Sequence, residues 1–293
     1  MVTPAREKIG LLVTTISNQF ISSPGDLRHI KIWLKQSLNQ RDFSNKMVSR
    51  PKILLRKWLG DETYAGLKVL LGKEIFQGVE IKCRTEMHGT KYGGWSIIPE
   101  GITAASVVYS FGIGNDLSFD LSLIQKYGVT VHAFDPTPDS IAWTRNENLP
   151  SNVMIHEYGV WCYDGVVDYF APKNSSSMSH TILGQTRDEF ADCQMKVQVK
   201  TVSTIMREIG HSKIDILKMD IEGAEYEVIN EIIDKSIPVR QLLVEFHHFF
   251  SNISVKKTRK TLEKLKKAGY KVFYVDPGRK EFSFFNKEPK VMS

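Results

Sequence analysis

The run KIDILKMDIEGAEYEVI, residues 213–229, crowds Asp220, Glu222, Glu225 and Glu227 into the end of an apolar segment. Ile214, Ile216, Leu217 and Met219 read as a buried strand, so Asp220 and Glu222 fall where that strand ends. In an open α/β sheet this edge faces the ligand crevice. Two carboxylates there can orient a hydroxyl, take its proton or hold a hard cation. Glu225 and Glu227 have a plainer reading: acids in the first turn of a helix complement its dipole, so both are read as capping or solvated charges. A second run, LLVEFHHFF at 242–250, ends another strand with Glu245 and His247 on one face and, if the strand persists, His248 on the other. An acid and two histidines beside the acidic turn point to a reaction site.

A third stretch, VVYSFGIGNDLSFD at 107–120, places Gly112 and Gly114 after an apolar run. Such a pair lets the backbone turn tightly and a ligand approach closely. Leu117 stands where a nicotinamide fingerprint has its third glycine, which disfavours a dehydrogenase. Asp135 in VHAFDPTPDS lies about twenty residues further on, at the end of the next strand, where a carboxylate can accept both hydroxyls of an adenosine ribose. Thr137 and Pro138 then supply a helix N-cap and first-turn pair.

These residues need a scaffold, and from residue 107 onward short β-branched runs alternate with helical ones, the signature of βαβ units. Strands are expected at 107–111, 129–134, 153–158, 214–219, 241–246, 270–275 and 281–286, with helices at 117–126, 138–147, 202–210, 224–234 and 255–268. The last two strands flank DPGRK and should form a hairpin. Between the third and fourth strands, YDG at 163–165 reads as a hairpin turn and KNSSSMSH at 173–180 as a mobile polar loop in which His180 and the serines either meet a polar ligand or, on the plainer reading, face water. The first 85 residues read instead as an accessory helical segment, with helices over 26–38 and two more within 51–75. Residues 86–293 form the main domain.

Composition narrows the setting. The chain has 293 residues, 42% of them hydrophobic, and a formal net charge of +6, a surplus too mild to demand nucleic acid. KKTRKTLEKLKKAGYK at 256–271 is basic, but Leu262 and Leu265 give it an apolar stripe, so its lysines read as a solvated face. Three scattered cysteines, without a CxxC pair, fit a reducing cytoplasm. The apolar stretch IGLLVTTISNQFI at 9–21 is interrupted by polar residues and falls short of the ~20 residues a membrane span needs. It lacks a small-residue cleavage site, so no secretory signal is expected.

In DILKMDIEGAEYEVI, FDPTP and LLVEFHH the sequence resembles the FkbM family of S-adenosylmethionine-dependent methyltransferases, over roughly residues 105–250. The resemblance implies an α/β, Rossmann-like class I methyltransferase fold: a seven-stranded, mostly parallel sheet ending in a C-terminal antiparallel hairpin. It also implies S-adenosyl-L-methionine as cofactor and a hydroxyl on a saccharide or small natural product as acceptor. Gly112, Gly114 and Asp135 would cradle the cofactor, while Asp220, Glu222, Glu245 and His247 would line the reaction side. Ser110 stands where many class I enzymes carry an acid, and Asp116 where they carry a glycine; Asp116 is assigned to the cofactor's ammonium group. Glu157 and Tyr158, in HEYGVW, occupy the region that borders the adenine. His247 or Asp220 would act as base, and Asp220, Glu222 and Glu245 offer hard oxygen ligands to Mg²⁺. The alternatives are a nucleotide-dependent oxidoreductase and a binding module that keeps the fold without the chemistry.

Overall fold

The computed structural model describes residues 74–172, 180–182, 190–250 and 253–289, together with Val69; side chains at 172 and 190–194 are excepted. The N-terminal helices expected at 26–38 and over most of 51–75, and most of the 173–180 loop, lie outside the described residues. The chain divides into two units, Met1–Phe76 with Pro277–Arg279, and Gln77–Asp276 with Lys280–Ser293. Every strand and helix named below belongs to the second.

In chain order these are β1 (Glu86–His88), β2 (Trp95–Ile97), β3 (Val107–Phe111), α1 (Ser118–Tyr127), β4 (Thr130–Phe134), α2 (Pro138–Asn146), β5 (Val153–His156), β6 (Gly159–Val160), β7 (Gly165–Pro172) and β8 (Phe190–Lys200). There follow α3 (Val202–Ile209), β9 (Ile214–Met219), α4 (Glu225–Asp234), β10 (Val239–Glu245), α5 (Val255–Lys267), β11 (Lys271–Val275) and β12 (Glu281–Phe285). The main sheet of the described residues has seven strands in the order β11-β12-β10-β9-β3-β4-β5. The five central and edge strands from β10 to β5 run parallel, and β12 is antiparallel to both β10 and β11. This is the Rossmann-like, mostly parallel seven-stranded sheet that the resemblance implies. The last strand does not end it: β12 inserts between β10 and β11.

β9 shows why the centre of the sheet forms. All six of its residues are buried, as a parallel strand covered on both faces requires. Its two charged members are hydrogen-bonded locally: Asp215 accepts from the Val107 N–H at 2.9 Å and pairs with Lys213 at 3.1 Å, and Lys218 donates to the Gly112 carbonyl. On one side of the sheet, Val108, Val131, Ile216 and Leu243 pack with Phe119 and Leu123 of α1. On α5, Leu262 and Leu265 are buried while Lys264, Lys266 and Lys267 face outward, as the stripe indicated.

A small sheet of order β6-β8-β7 corrects the expected YDG hairpin. β6 and β7 are not neighbours, because β8 lies between them, parallel to β6 and antiparallel to β7. The reason is visible at Asp164. Its carboxylate accepts from the Thr201 N–H and the Thr204 hydroxyl, both at 2.7 Å, which ties the turn to the start of α3.

Candidate active site at the carboxyl edge of the sheet

The chain runs from β3 outward through β4 to β5, then returns to β9 on the other side of β3. Strand order therefore reverses between β3 and β9, and an open parallel sheet has its crevice beyond the carboxyl ends at such a reversal. The glycine turn and the acidic turn meet there. A Cβ added to Gly112, whose φ is +83°, would lie 1.8 Å from the Asp220 carbonyl oxygen. The Asp220 N–H donates to the Phe111 carbonyl at 3.0 Å and the Gly112 N–H to that of Phe134 at 3.0 Å. From below, Lys218 Nζ donates to the Gly112 carbonyl at 2.5 Å.

Within the glycine half, the two glycines differ in kind. Gly112 is forced by the backbone of Asp220, whereas a Cβ on Gly114, at φ +56°, would meet nothing within 4 Å. That open face is where a ligand can come close to the main chain. Asp135 is buried, and its carboxylate turns inward: Oδ2 accepts from the Ile113 and Gly114 N–H groups at 2.9 and 3.0 Å, and Oδ1 from the Thr137 N–H at 2.8 Å. It shapes the turn from the next strand. Asp116 accepts from the Ser118 N–H at 2.7 Å and the Thr90 hydroxyl at 3.2 Å, so it secures the first turn of α1. Ser110 is fully buried beneath the turn. Leu117 packs among Ile113, Ala133 and Val153, which explains a large residue at that position.

Beyond β5, Glu157 is exposed and paired with Arg145 of α2. Tyr158 is half-buried against Phe134 and His156, with Lys200 Nζ 4.5 Å from its ring centre. The small sheet reaches over both halves. Tyr169 of β7 stacks on His180 at 5.4 Å, and Asp135 and Glu222 both bear on its phenol, whose pKa burial pushes well up. The Thr181 hydroxyl donates to the Glu222 carbonyl at 2.7 Å. His180 is buried, against the expectation that it faces water.

On the acidic side, Asp220, Glu222 and His247 each offer a ligand atom, and these atoms lie within 4.8 Å of one another. His247 Nε2 is 3.2 Å from Glu222 Oε2 and 3.7 Å from Asp220 Oδ1. The side chain of His247 is 2% exposed, while that of Asp220 is 35% exposed and opens to the crevice. Glu222 is held in the left-handed region at φ 51°, a conformation that disfavours side-chain-bearing residues by roughly 1–2 kcal/mol. The Thr181 bond to its carbonyl helps to hold it there.

Behind the imidazole stands Glu225. It is not a solvated capping charge but a fully buried carboxylate. Its Oε1 accepts from the His247 N–H at 2.8 Å and lies 3.3 Å from His247 Nδ1, and its Oε2 accepts from the Gly223 N–H at 2.8 Å. Glu227, by contrast, is partly exposed and pairs with Lys257 at 3.0 Å, as the plainer reading had it. Burial alone would lower the pKa of His247, but Glu225, Glu222 and Asp220 outweigh it and hold the value up at about 10. Glu245 is pushed up to about 7 by burial and then by Asp220, against the pull of His247 and Lys280. It sits next to the group of three, opposite Glu281 on β12, itself raised to about 8 by burial and by Asp276 and Glu245.

Four contributors escaped the sequence reading. Glu225 looked like a dipole partner, and only the fold reveals that it is sealed in. Lys218 did carry a signal, a lone cation within the strand IDILKM, and it donates to the Gly112 carbonyl at the floor of the site. Glu281 depends on the β10–β12 register, and Tyr169 on the β7–β8 pairing, neither of which leaves a local trace.

Comparison with known proteins identifies the family. A family model described as a methyltransferase FkbM domain matches residues 107–272. The Homo sapiens protein named probable methyltransferase-like protein 24 is 27% identical over 143 residues, 48% of this chain and 32% of the relative, and its Rattus norvegicus counterpart gives the same figures. The match thus spans about a third of those relatives' length. Among solved structures, methyltransferase FkbM from Methylobacillus flagellatus KT is 15% identical with a TM-score of 0.39, covering 62% of this chain and 44% of its own. The fibrillarin pre-rRNA processing protein of Methanococcus jannaschii is 12% identical with a TM-score of 0.40, covering 65% and 70%. Likenesses this remote carry no residue-level assignment.

Proposed function

The chain belongs to the FkbM methyltransferase family, and from that premise we propose that it transfers a methyl group from S-adenosylmethionine to a hydroxyl oxygen of a saccharide or small natural product. The observation that carries this reading is the backbone contact between Gly112 and Asp220. It joins a glycine cradle and an acid and histidine group into the two walls of one crevice.

The cradle fits the cofactor in one definite respect: the face of Gly114 is open, while Asp135 holds the N–H groups of Ile113 and Gly114 in place. Gly112, Gly114 and Asp116 would hold the cofactor along the turn, with Asp135 shaping that turn and Tyr158 bordering the base. Glu157 and Ser110 take the outer and inner margins of this set. When bound, the cofactor supplies an electrophilic methyl on a sulfonium. The chain's own contribution is positioning, since holding two reactants in line accounts for most of the gain in such a transfer.

An alcohol is a weak nucleophile, so a base must accept its proton as attack proceeds. Asp220 suits that role better than His247. Its carboxylate reaches the crevice, whereas the imidazole is enclosed with Glu225 on one nitrogen and two carboxylates facing the other. Glu222 and Glu245 orient the acceptor. A cytoplasmic site of action goes with this reading. Among the described residues no helix is long and apolar enough to cross a membrane.

The test has two parts. S-adenosylhomocysteine should raise the melting temperature, by the equivalent of about 2.7 kcal/mol at a hundredfold excess over its Kd, and NAD should not. Mass spectrometry of cell extract incubated with the protein and isotopically labelled cofactor should then reveal a labelled hydroxyl compound. Stabilisation by NAD alone would move the protein to the oxidoreductases, and stabilisation by S-adenosylhomocysteine without any labelled product would leave a binding module.

A further inference from the structure

His247, Asp220 and Glu222 converge on one point, their ligand atoms within 4.8 Å of one another. Metal–ligand bonds of ~2.1 Å place neighbouring ligand atoms roughly 3.0–3.5 Å apart; His247 Nε2 lies 3.2 Å from Glu222, inside that range, and 3.7 Å from Asp220, just beyond it. Asp220 Oδ1 is a buried atom with no hydrogen-bond donor. The imidazole is aimed by a carboxylate on its far nitrogen, the arrangement that fixes the tautomer and orientation of metal-ligating histidines. We propose that Asp220, Glu222 and His247 bind a divalent first-row transition ion, Mn²⁺ or Zn²⁺ in preference to Mg²⁺, with Glu225 as the positioning residue behind His247.

The preference follows from the ligand set. Spacing in the sequence offers three hard carboxylates, Asp220, Glu222 and Glu245, which is a set for Mg²⁺. The fold instead brings an imidazole nitrogen into ligand distance, and Glu245 is not among the three atoms that converge. Nitrogen donors favour transition ions over Mg²⁺, and three protein ligands leave positions open for the oxygen of a bound molecule. The rival account is a plain ion pair between an imidazolium and its carboxylates. It leaves the buried Asp220 Oδ1 without a hydrogen-bond donor, 3.7 Å from the imidazole nitrogen. A divalent ion gives that oxygen a partner. One oxygen of Asp220 on the ion leaves its other for the acceptor's proton, so the catalytic consequence rests on the methyl-transfer reading, whereas the ion site itself does not.

The experiment uses the full chain, stripped with a chelator and desalted. Mn²⁺ is titrated by calorimetry and by the loss of its free-ion paramagnetic resonance signal, with Mg²⁺ and Zn²⁺ in parallel and S-adenosylhomocysteine as a separate ligand. One Mn²⁺ per chain is expected, with Mg²⁺ at least about tenfold weaker. Glu222→Gln should abolish saturable Mn²⁺ binding, and Glu225→Gln should weaken it about 10–100-fold. Both variants should still bind S-adenosylhomocysteine, which certifies that they are folded. Absence of saturable Mn²⁺ and Zn²⁺ binding, Mg²⁺ binding as tight as Mn²⁺, or Mn²⁺ binding indifferent to Glu222→Gln would each overturn the proposal. If S-adenosylhomocysteine binds and no ion does, the ion site alone fails. If the ion binds and S-adenosylhomocysteine does not, the transfer reading fails and the ion site stands.

Discussion

Gly112 and Gly114 are two residues apart and do different work. Gly112→Ala drives a Cβ into the Asp220 carbonyl, an approach no rotamer can relieve, so the ends of β3 and β9 must part. Thermal unfolding is expected to show a loss above about 3 kcal/mol or no folded protein. Gly114→Ala meets only the left-handed penalty of roughly 1–2 kcal/mol. It should fold, and calorimetry should show weakened S-adenosylhomocysteine binding because the methyl group fills the open face. Lys218 is a further test at this scale. It is buried, touches the Gly112 carbonyl and pulls down the pKa of Asp120, which burial nonetheless holds up at about 6. Lys218→Ala should reduce stability by about 1–3 kcal/mol in denaturant unfolding, since it leaves the buried Gly112 carbonyl without its donor. Asp220, Glu222 and His247 were legible as a group because strand ends collect ligand-facing residues. Glu225 was not, since an acid in the first turn of a helix looks the same whether it faces water or a histidine.

At the level of elements, the parallel strands and the five helices between them were readable almost to the residue, because buried parallel strands and amphipathic helices have distinct periods. What the periods do not encode is adjacency. β8 between β6 and β7, and β12 between β10 and β11, are decided by long-range pairing and by single tethers such as Asp164. Adjacency also makes an acid-sensitive patch. His132 of β4 and His156 of β5 lie 3.0 Å apart, nitrogen to nitrogen; His211, after α3, meets the Tyr109 hydroxyl at 2.9 Å, and Lys200 faces His156. Burial first, then His156 and His211, lowers the pKa of His132 from 6.5 to about 4, and burial lowers those of His156 and His211 as well. Between those two values the unfolded chain binds protons that the folded one refuses, so the contribution of this patch is fully present above about pH 6.5 and falls as pH drops below it. Glu245 and Glu281, raised to about 7 and 8, act in the opposite sense over the same window, so the patch is read as a difference between proteins. The melting temperature of the unaltered protein relative to His132→Gln should fall as pH drops from about 6.5 to about 4, and a difference independent of pH would show that the patch does not titrate in this way.

For the whole molecule, the net charge of +6 and the lysines of α5 raise the question of a polyanionic partner. Lys257 and Lys264 are already engaged by Glu227 and Asn230, and Lys266 by Glu80, which fits a solvated helix face better than a phosphate-binding stripe. Binding to RNA or DNA is therefore expected to vanish at physiological salt in a filter assay. The catalytic reading depends on a single location, the point where strand order reverses between β3 and β9. Amide NMR spectra recorded while S-adenosylhomocysteine is added to the isotopically labelled protein report that location directly. Saturable shifts should concentrate on Gly112–Asp116 and on the turn from Asp220 to Gly223. Shifts elsewhere in the chain, or none at saturating ligand, would contradict a cofactor seated at that reversal.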